Sequence, residues 1–196
     1  ASGRVFAMDA NAMVTALSTG GGLLWQTDLT AAFDRGGGVS GGGLAADGAR
    51  AYATTAYGEV VAMDAASGAI AWRQRVDSPI VGAPAIEGDR VYVTGRDGSA
   101  WALDATNGKV IWQVFGTPGK AGWLGAAAPT VGDRVVYFPS STGDLMAVLK
   151  VGGGTAVWHA SAAGKKLGRA YAFAPDITGD AALVGGVLYA GTAAGR

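Results

Sequence analysis

The chain contains no cysteine and a single histidine, His159, and these two shortages remove whole classes of chemistry. Without cysteine there is no disulfide, no thiolate metal site and no thiol nucleophile. One histidine and no cysteine leave a zinc site close to excluded. A Ser-His-Asp triad would have to be built on His159, beside Trp158, and the G-x-S-x-G match at Gly38-Val39-Ser40-Gly41-Gly42 falls between glycine runs that read as loop, not on the strand-to-helix turn of a nucleophile elbow. His159 therefore reads as a surface or strand-edge residue. Charge is scarce too: charged residues make up 15% of the 196, and 15 Lys+Arg balance 15 Asp+Glu. The basic stripe of a nucleic-acid binder is missing, and the local cluster Lys165, Lys166 and Arg169 reads as a solvated loop. No apolar run reaches the roughly eighteen residues of a membrane-spanning helix. The start of the chain also lacks the basic and apolar regions of an export signal.

What is abundant is glycine, 34 residues, set between short apolar runs as turn residues would be. The runs repeat. Phe6, Tyr52, Tyr92, Tyr137 and Tyr189 each sit in a short β-like segment, and six residues later come Ala12, Gly58, Gly98, Gly143 and Gly195. A tight hairpin with positive φ at one position accounts for the glycine; Ala12, the exception, stands beside the turn-tolerant Asn11. A second strand follows each turn, carrying Ala16, Ala62, Ala102 or Ala147, and then a tryptophan: Trp25, Trp72, Trp112, Trp158. Four residues before each tryptophan lies a glycine, namely Gly21, Gly68, Gly108 and Gly154. A further strand can be read ahead of each aromatic one, at Leu44, Pro84, Pro129 and Ala181. Four short strands in about 40–50 residues make a propeller blade, and no segment has helical periodicity.

The predicted fold is thus all-β, a β-propeller of four-stranded antiparallel blades. About four and a half blades are present: about 1–30, 38–76, 80–115, 124–160 and a partial fifth over 177–196. The first copy lacks its opening strand and the last stops before its third. The chain is expected to be a portion of a larger ring.

The repeated tryptophans Trp25, Trp72, Trp112 and Trp158 read as packing between sheets, each with one local acceptor for its N–H and a tight turn made possible by the glycine before it. Asp64 and Asp104 read as turn carboxylates that accept backbone N–H groups. Trp101 falls within an alternating strand. Trp123 lies in the long glycine-rich connection 115–125 and is either folded back on the sheet or presented to a partner. The other long connection, 161–178, mixes Lys165, Lys166, Arg169, Tyr171, Phe173 and Asp176, as a contact surface would. The glycine runs at 20–22, 36–38 and 41–43 lack the Lys-Ser/Thr of a phosphate-binding loop. Residues 176–180 carry oxygen ligands, but not in the order of an EF-hand, which leaves calcium a weak alternative. No catalytic residue and no metal site is assigned.

The unit Ala-Met/Leu-Asp-Ala-x-x-Gly-x-x-x-Trp, at 62–72 and 102–112, resembles the repeat of the pyrroloquinoline-quinone (PQQ) type propellers, a repeat specific for fold and not for function. Gly125-Ala126-Ala127-Ala128-Pro129 leading to residues 138–145, and Asp176-Ile177-Thr178-Gly179-Asp180 followed by residues 186–191 and 194–196, resemble the BamB family of outer-membrane assembly lipoproteins. That resemblance implies a ring of eight blades in the periplasm, held to the outer membrane by a lipid anchor upstream of this chain. It also implies a non-enzymatic scaffold without cofactor, which binds the barrel-inserting subunit BamA, and by extension unfolded outer-membrane proteins, through loops on one face. The matching partner-binding positions are Trp123, Leu124, Gly125, Asp176 and Thr178. Leu124 stands where some members have arginine, and Thr178 where some have a second acidic residue. Two alternatives stand beside this reading. One is a fragment of a PQQ-dependent quinoprotein dehydrogenase, which the lack of cysteine and of an acidic axial cluster disfavours. The other is a ligand-sensing propeller ectodomain.

Overall fold

The computed structural model describes residues 3–30, 42–80, 82–116, 127–140, 142–162, 177 and 179–192. Among them every regular element is a strand, and no helix is present to cross a membrane. The first sheet holds β1 (Arg4–Met8), β2 (Met13–Ser18) and β3 (Leu23–Asp28). The second is β4 (Leu44–Ala46), β5 (Arg50–Thr55), β6 (Glu59–Asp64) and β7 (Ile70–Arg75). The third is β8 (Ala85–Glu87), β9 (Arg90–Thr94), β10 (Ala100–Asp104) and β11 (Val110–Val114). The fourth is β12 (Thr130–Val131), β13 (Val135–Pro139), β14 (Asp144–Leu149) and β15 (Ala156–Ser161), and β16 (Ala182–Val184) with β17 (Val187–Tyr189) forms the last. Each sheet is an antiparallel meander, and short β4, β8 and β12 lie side by side where the sheets converge. These sheets are successive blades of a β-propeller.

One cross-strand row repeats in every complete blade and in the first. Phe6 pairs with Ala16 and Ala16 with Trp25; Tyr52, Ala62 and Trp72 make the same row, as do Tyr92, Ala102 and Trp112 and Tyr137, Ala147 and Trp158. Across the small alanine the two rings meet, with centroids 5.7, 6.0, 6.0 and 5.8 Å apart. A larger residue between them would push both rings off the sheet. Just past each alanine the register shifts by one residue, a bulge on the outer strand. The bulge is the same in all four sheets, so the variation of the alanine–tryptophan interval from nine to eleven residues falls in the turn beyond it.

Sheets covered on both faces carry continuous buried runs instead of alternation. In β6 residues 60–63 are all buried, in β10 residues 100–103, and in β14 residues 145–148. In β2 only Val14 and Ala16 are buried, because among the described residues one side alone of the first sheet is covered. The seams are hydrophobic. Val14, Ala16 and Trp25 meet Ala51, Ala53, Val61 and Met63 in the first; Tyr52, Val60 and Trp72 meet Val91, Val93 and Leu103 in the second. Trp101 belongs to that second core, 2% exposed.

The structure corrects the reading of the glycine four residues before each tryptophan. It does turn the chain, with φ of +75° at Gly68 and +77° at Gly108, but the indole it accommodates belongs to the preceding blade. A Cβ on Gly68 would lie 2.6 Å from the Trp25 ring, one on Gly108 2.6 Å from Trp72, and one on Gly154 2.9 Å from Trp112. The acceptors are also in the next blade: Trp25 Nε1 donates to the Ala65 carbonyl at 3.2 Å and Trp72 Nε1 to the Ala105 carbonyl at 2.9 Å. Arg50 donates to the same Ala105 carbonyl, and Arg90 to the carbonyl of Lys150.

The Asp64 and Asp104 carboxylates hold these turns. Asp64 Oδ1 accepts the Ser67 hydroxyl and the N–H groups of Ser67 and Ala66, and Asp104 Oδ1 accepts the Thr106 hydroxyl with the N–H groups of Thr106 and Asn107. The Ser67 and Thr106 side-chain bonds lead in pulling the two carboxyls below the ordinary aspartate range. Because the folded pKa is depressed, the stabilisation is complete above the unfolded value and is lost as pH falls through the folded one. In an NMR titration Asp64 and Asp104 are therefore expected to protonate after the unconstrained aspartates. Asp104→Asn should flatten the acid limb of the stability profile; an unchanged limb would assign the acid sensitivity to other groups.

Candidate functional site

The hairpins between the second and third strand of each blade gather on one face. Their positive-φ residues are Ala12 (62°), Gly58 (77°), Gly98 (80°) and Gly143 (76°). Ala12 itself takes the left-handed conformation, rather than its neighbour Asn11, and it is the one non-glycine among the described residues to do so. Asp9 Oδ1 supports it by accepting the N–H groups of Asn11 and Met13.

Each chain exit from an outer strand runs back to this face. Leu29 N–H donates to the Ala12 carbonyl, Val76 N–H to Gly58 and Ala162 N–H to Gly143. Gly116 presses so close to the Gly98 carbonyl that a Cβ there would lie 2.1 Å from the oxygen. The connections 117–126 and 163–176 thus start from equivalent places on consecutive blades.

The segments that follow them are joined directly. Ala128 N–H donates to Asp180 Oδ1 at 2.7 Å, and Thr130 Oγ1 donates to the Ala181 carbonyl at 2.8 Å. Ala127 and Ile177, both 2% exposed, pack with Leu145 in one apolar cluster, and Ile177 pairs with Thr192 in an isolated antiparallel bridge. Phe115, 75% exposed, stands at the root of the first connection.

The five partner-binding positions read from the sequence, Trp123, Leu124, Gly125, Asp176 and Thr178, lie outside the described residues. What the structure brings together is their flanks: Ala127 follows Gly125 by two, and Ile177 sits between Asp176 and Thr178. Sequence reasoning missed Phe115, whose apolar side chain at a strand end was available as a signal. It also missed the tethering role of Asp180, whose partner is 52 residues away and leaves no local trace. His159 is exposed on the outer strand β15. Among the described residues no three or more His, Cys, Asp or Glu side chains are grouped to hold a metal.

Comparison with known proteins agrees with this architecture. A crystal structure of BamB from Moraxella catarrhalis superposes with a TM-score of 0.82 at 26% identity, over 98% of this chain and 56% of that one. The chain therefore spans a little over half the length of that relative. A quinohemoprotein alcohol dehydrogenase of Pseudomonas putida (TM-score 0.68, 20% identity, 98% of this chain and 37% of that one) and one of Comamonas testosteroni (0.67, 18%, 97% and 38%) share the fold. No curated protein sequence matches the chain. The profile of the family described as outer membrane protein assembly factor BamB matches residues 10–196, nearly every residue that builds the rows, the seams and the two joined connections. By that match the chain belongs to the BamB family of PQQ-repeat propellers.

Proposed function

We propose that the protein is a non-enzymatic scaffold of outer-membrane protein assembly, acting in the periplasm at the outer membrane, and that the connections 117–126 and 163–176 hold a barrel-inserting, BamA-like subunit. Family membership supports the setting. The observation that supports this reading is the Ala128–Asp180 bond, which ties together the segments that follow the two connections on adjacent blades. Connections that lead into one junction suit a shared contact surface, because less entropy is then spent on bringing them together at binding. An exposed phenylalanine at the edge suits such a contact, since buried aromatic anchors dominate interface energies.

The test is capture of the barrel-inserting subunit from detergent-solubilised outer membrane. Trp123→Ala and Asp176→Ala are each expected to weaken capture about tenfold or more, the loss of roughly 1.4 kcal/mol of contact, with unfolding midpoints unchanged. Asp180→Ala should weaken it less, by loosening the junction. Capture unaffected by all three would remove these loops from the interface. Absorbance and calorimetry with PQQ and Ca²⁺ address the dehydrogenase alternative: stoichiometric binding with alcohol- or sugar-dependent dye reduction would overturn the scaffold reading.

A further inference from the structure

The seam between the third and fourth sheets is built like the two before it, with one difference. The Ala65, Ala105 and Lys150 carbonyls are equivalent, since their own N–H groups donate to Ala49, Asp89 and Arg134, each at the entry to the blade's second strand. In the second seam the Ala105 carbonyl accepts both Trp72 Nε1 and Arg50. In the third seam the Lys150 carbonyl accepts Arg90, while Trp112 Nε1 is buried with no partner. The adjoining turn differs as well. It closes from Asp64 to Ala69 and from Asp104 to Lys109 in the second and third sheets, but from Leu149 to Thr155 in the fourth, one residue longer. Leu149 also replaces the turn aspartate, and Gly152, Gly153 and Gly154 all take positive φ.

A second group is stranded in the same place. The Tyr52 hydroxyl donates to Asp47, whereas the buried Tyr92 hydroxyl has the Arg90 guanidinium nearby but no partner at hydrogen-bond geometry, and Glu87 is engaged by Lys150 instead. Two buried polar groups of one packed pair, Tyr92 and Trp112 with ring centroids 6.0 Å apart, are thus without a partner in the seam where the Lys150 carbonyl, which can accept a second bond, receives Arg90. Leaving both unmet costs more than immobilising one water molecule, and three polar partners are what an internal water needs.

We propose that this seam is an internal water-binding site in which Trp112 Nε1 donates to the water, the Lys150 carbonyl accepts from it and the Tyr92 hydroxyl completes the shell. The water takes the place that the carbonyl itself fills for Trp25 and Trp72.

Water–indole cross-relaxation in the ¹⁵N-labelled protein tests this, with the Trp112 signal assigned through Trp112→Phe. A cross-peak from a long-lived water is expected at the Trp112 indole proton and not at those of Trp25 or Trp72. Deleting Gly152 restores the shorter turn and should abolish the peak; Tyr92→Phe, which keeps the ring packing, should weaken it by shortening the water's residence. No peak at Trp112, or equal peaks at all three indoles, would overturn the site. A peak that Tyr92→Phe leaves unchanged would overturn the three-partner shell.

Discussion

Gly108→Ala is expected to destabilise the protein by about 3 kcal/mol, although it adds one methyl group. A left-handed backbone costs an L-residue roughly 1–2 kcal/mol, and Gly108 has φ +77°. The new Cβ would also lie 2.6 Å from Cε3 and 2.8 Å from Cδ2 of Trp72. Overpacking of that kind costs about 1–3 kcal/mol more, and the ring cannot retreat because its Nε1 is held by Ala105. Gly21→Ala is the matched control, with φ +83° and no atom within 4 Å of the added carbon, so only the backbone term applies. Gly154→Ala should fall between them, since its nearest Trp112 atoms are 2.9–3.0 Å away. Denaturant titrations with a common slope would give the order Gly21, Gly154, Gly108. Equal losses at Gly21 and Gly108 would show that the tryptophan–glycine contact does not resist displacement.

Trp72→Ala removes the other half of that contact and should cost about 3–5 kcal/mol, the usual range for a buried indole. It empties the space between Tyr52 and Gly108 and leaves the Ala105 carbonyl with Arg50 alone. Trp158 occupies the same place in its own row but is 39% exposed, against 8% for Trp72. Trp158→Ala is therefore expected to lose only about 1 kcal/mol, the burial of a partly covered ring. Thermal unfolding of the two variants, each followed through a single transition, provides the comparison. Similar losses would mean that the row within a blade, and not the seam between blades, carries the indole's contribution.

The contrast between Trp72 and Trp158 marks where sequence reasoning reached and where it stopped. Both tryptophans stand four residues after a glycine, and the local differences between their units, one more turn residue and Leu149 in place of the aspartate before Trp158, do not tell how far each ring is covered. The aromatic, alanine and tryptophan positions were legible because hairpins join neighbouring strands, so the row is written within about thirty residues. The hairpin at Ala12 was legible too, from its register; that alanine would adopt the conformation elsewhere given to glycine was not. Of the candidate interface, the two connections could be picked out by length, composition and resemblance. Their junction through Ala128 and Asp180 could not, because it joins different blades.

The sequence by itself determined the all-β architecture, the number and order of strands and the turn at each hairpin, since short-range pairing and backbone conformation depend on residues close in the chain. The tertiary structure decided which glycine receives which indole, that Asp180 ties two connections together and that Trp112 is deprived of its carbonyl. Each of these is a contact between sheets, where a one-residue change in a turn moves a carbonyl relative to an indole on another blade. Spacing within a repeat records the turn; only the packed seam shows what that turn meets.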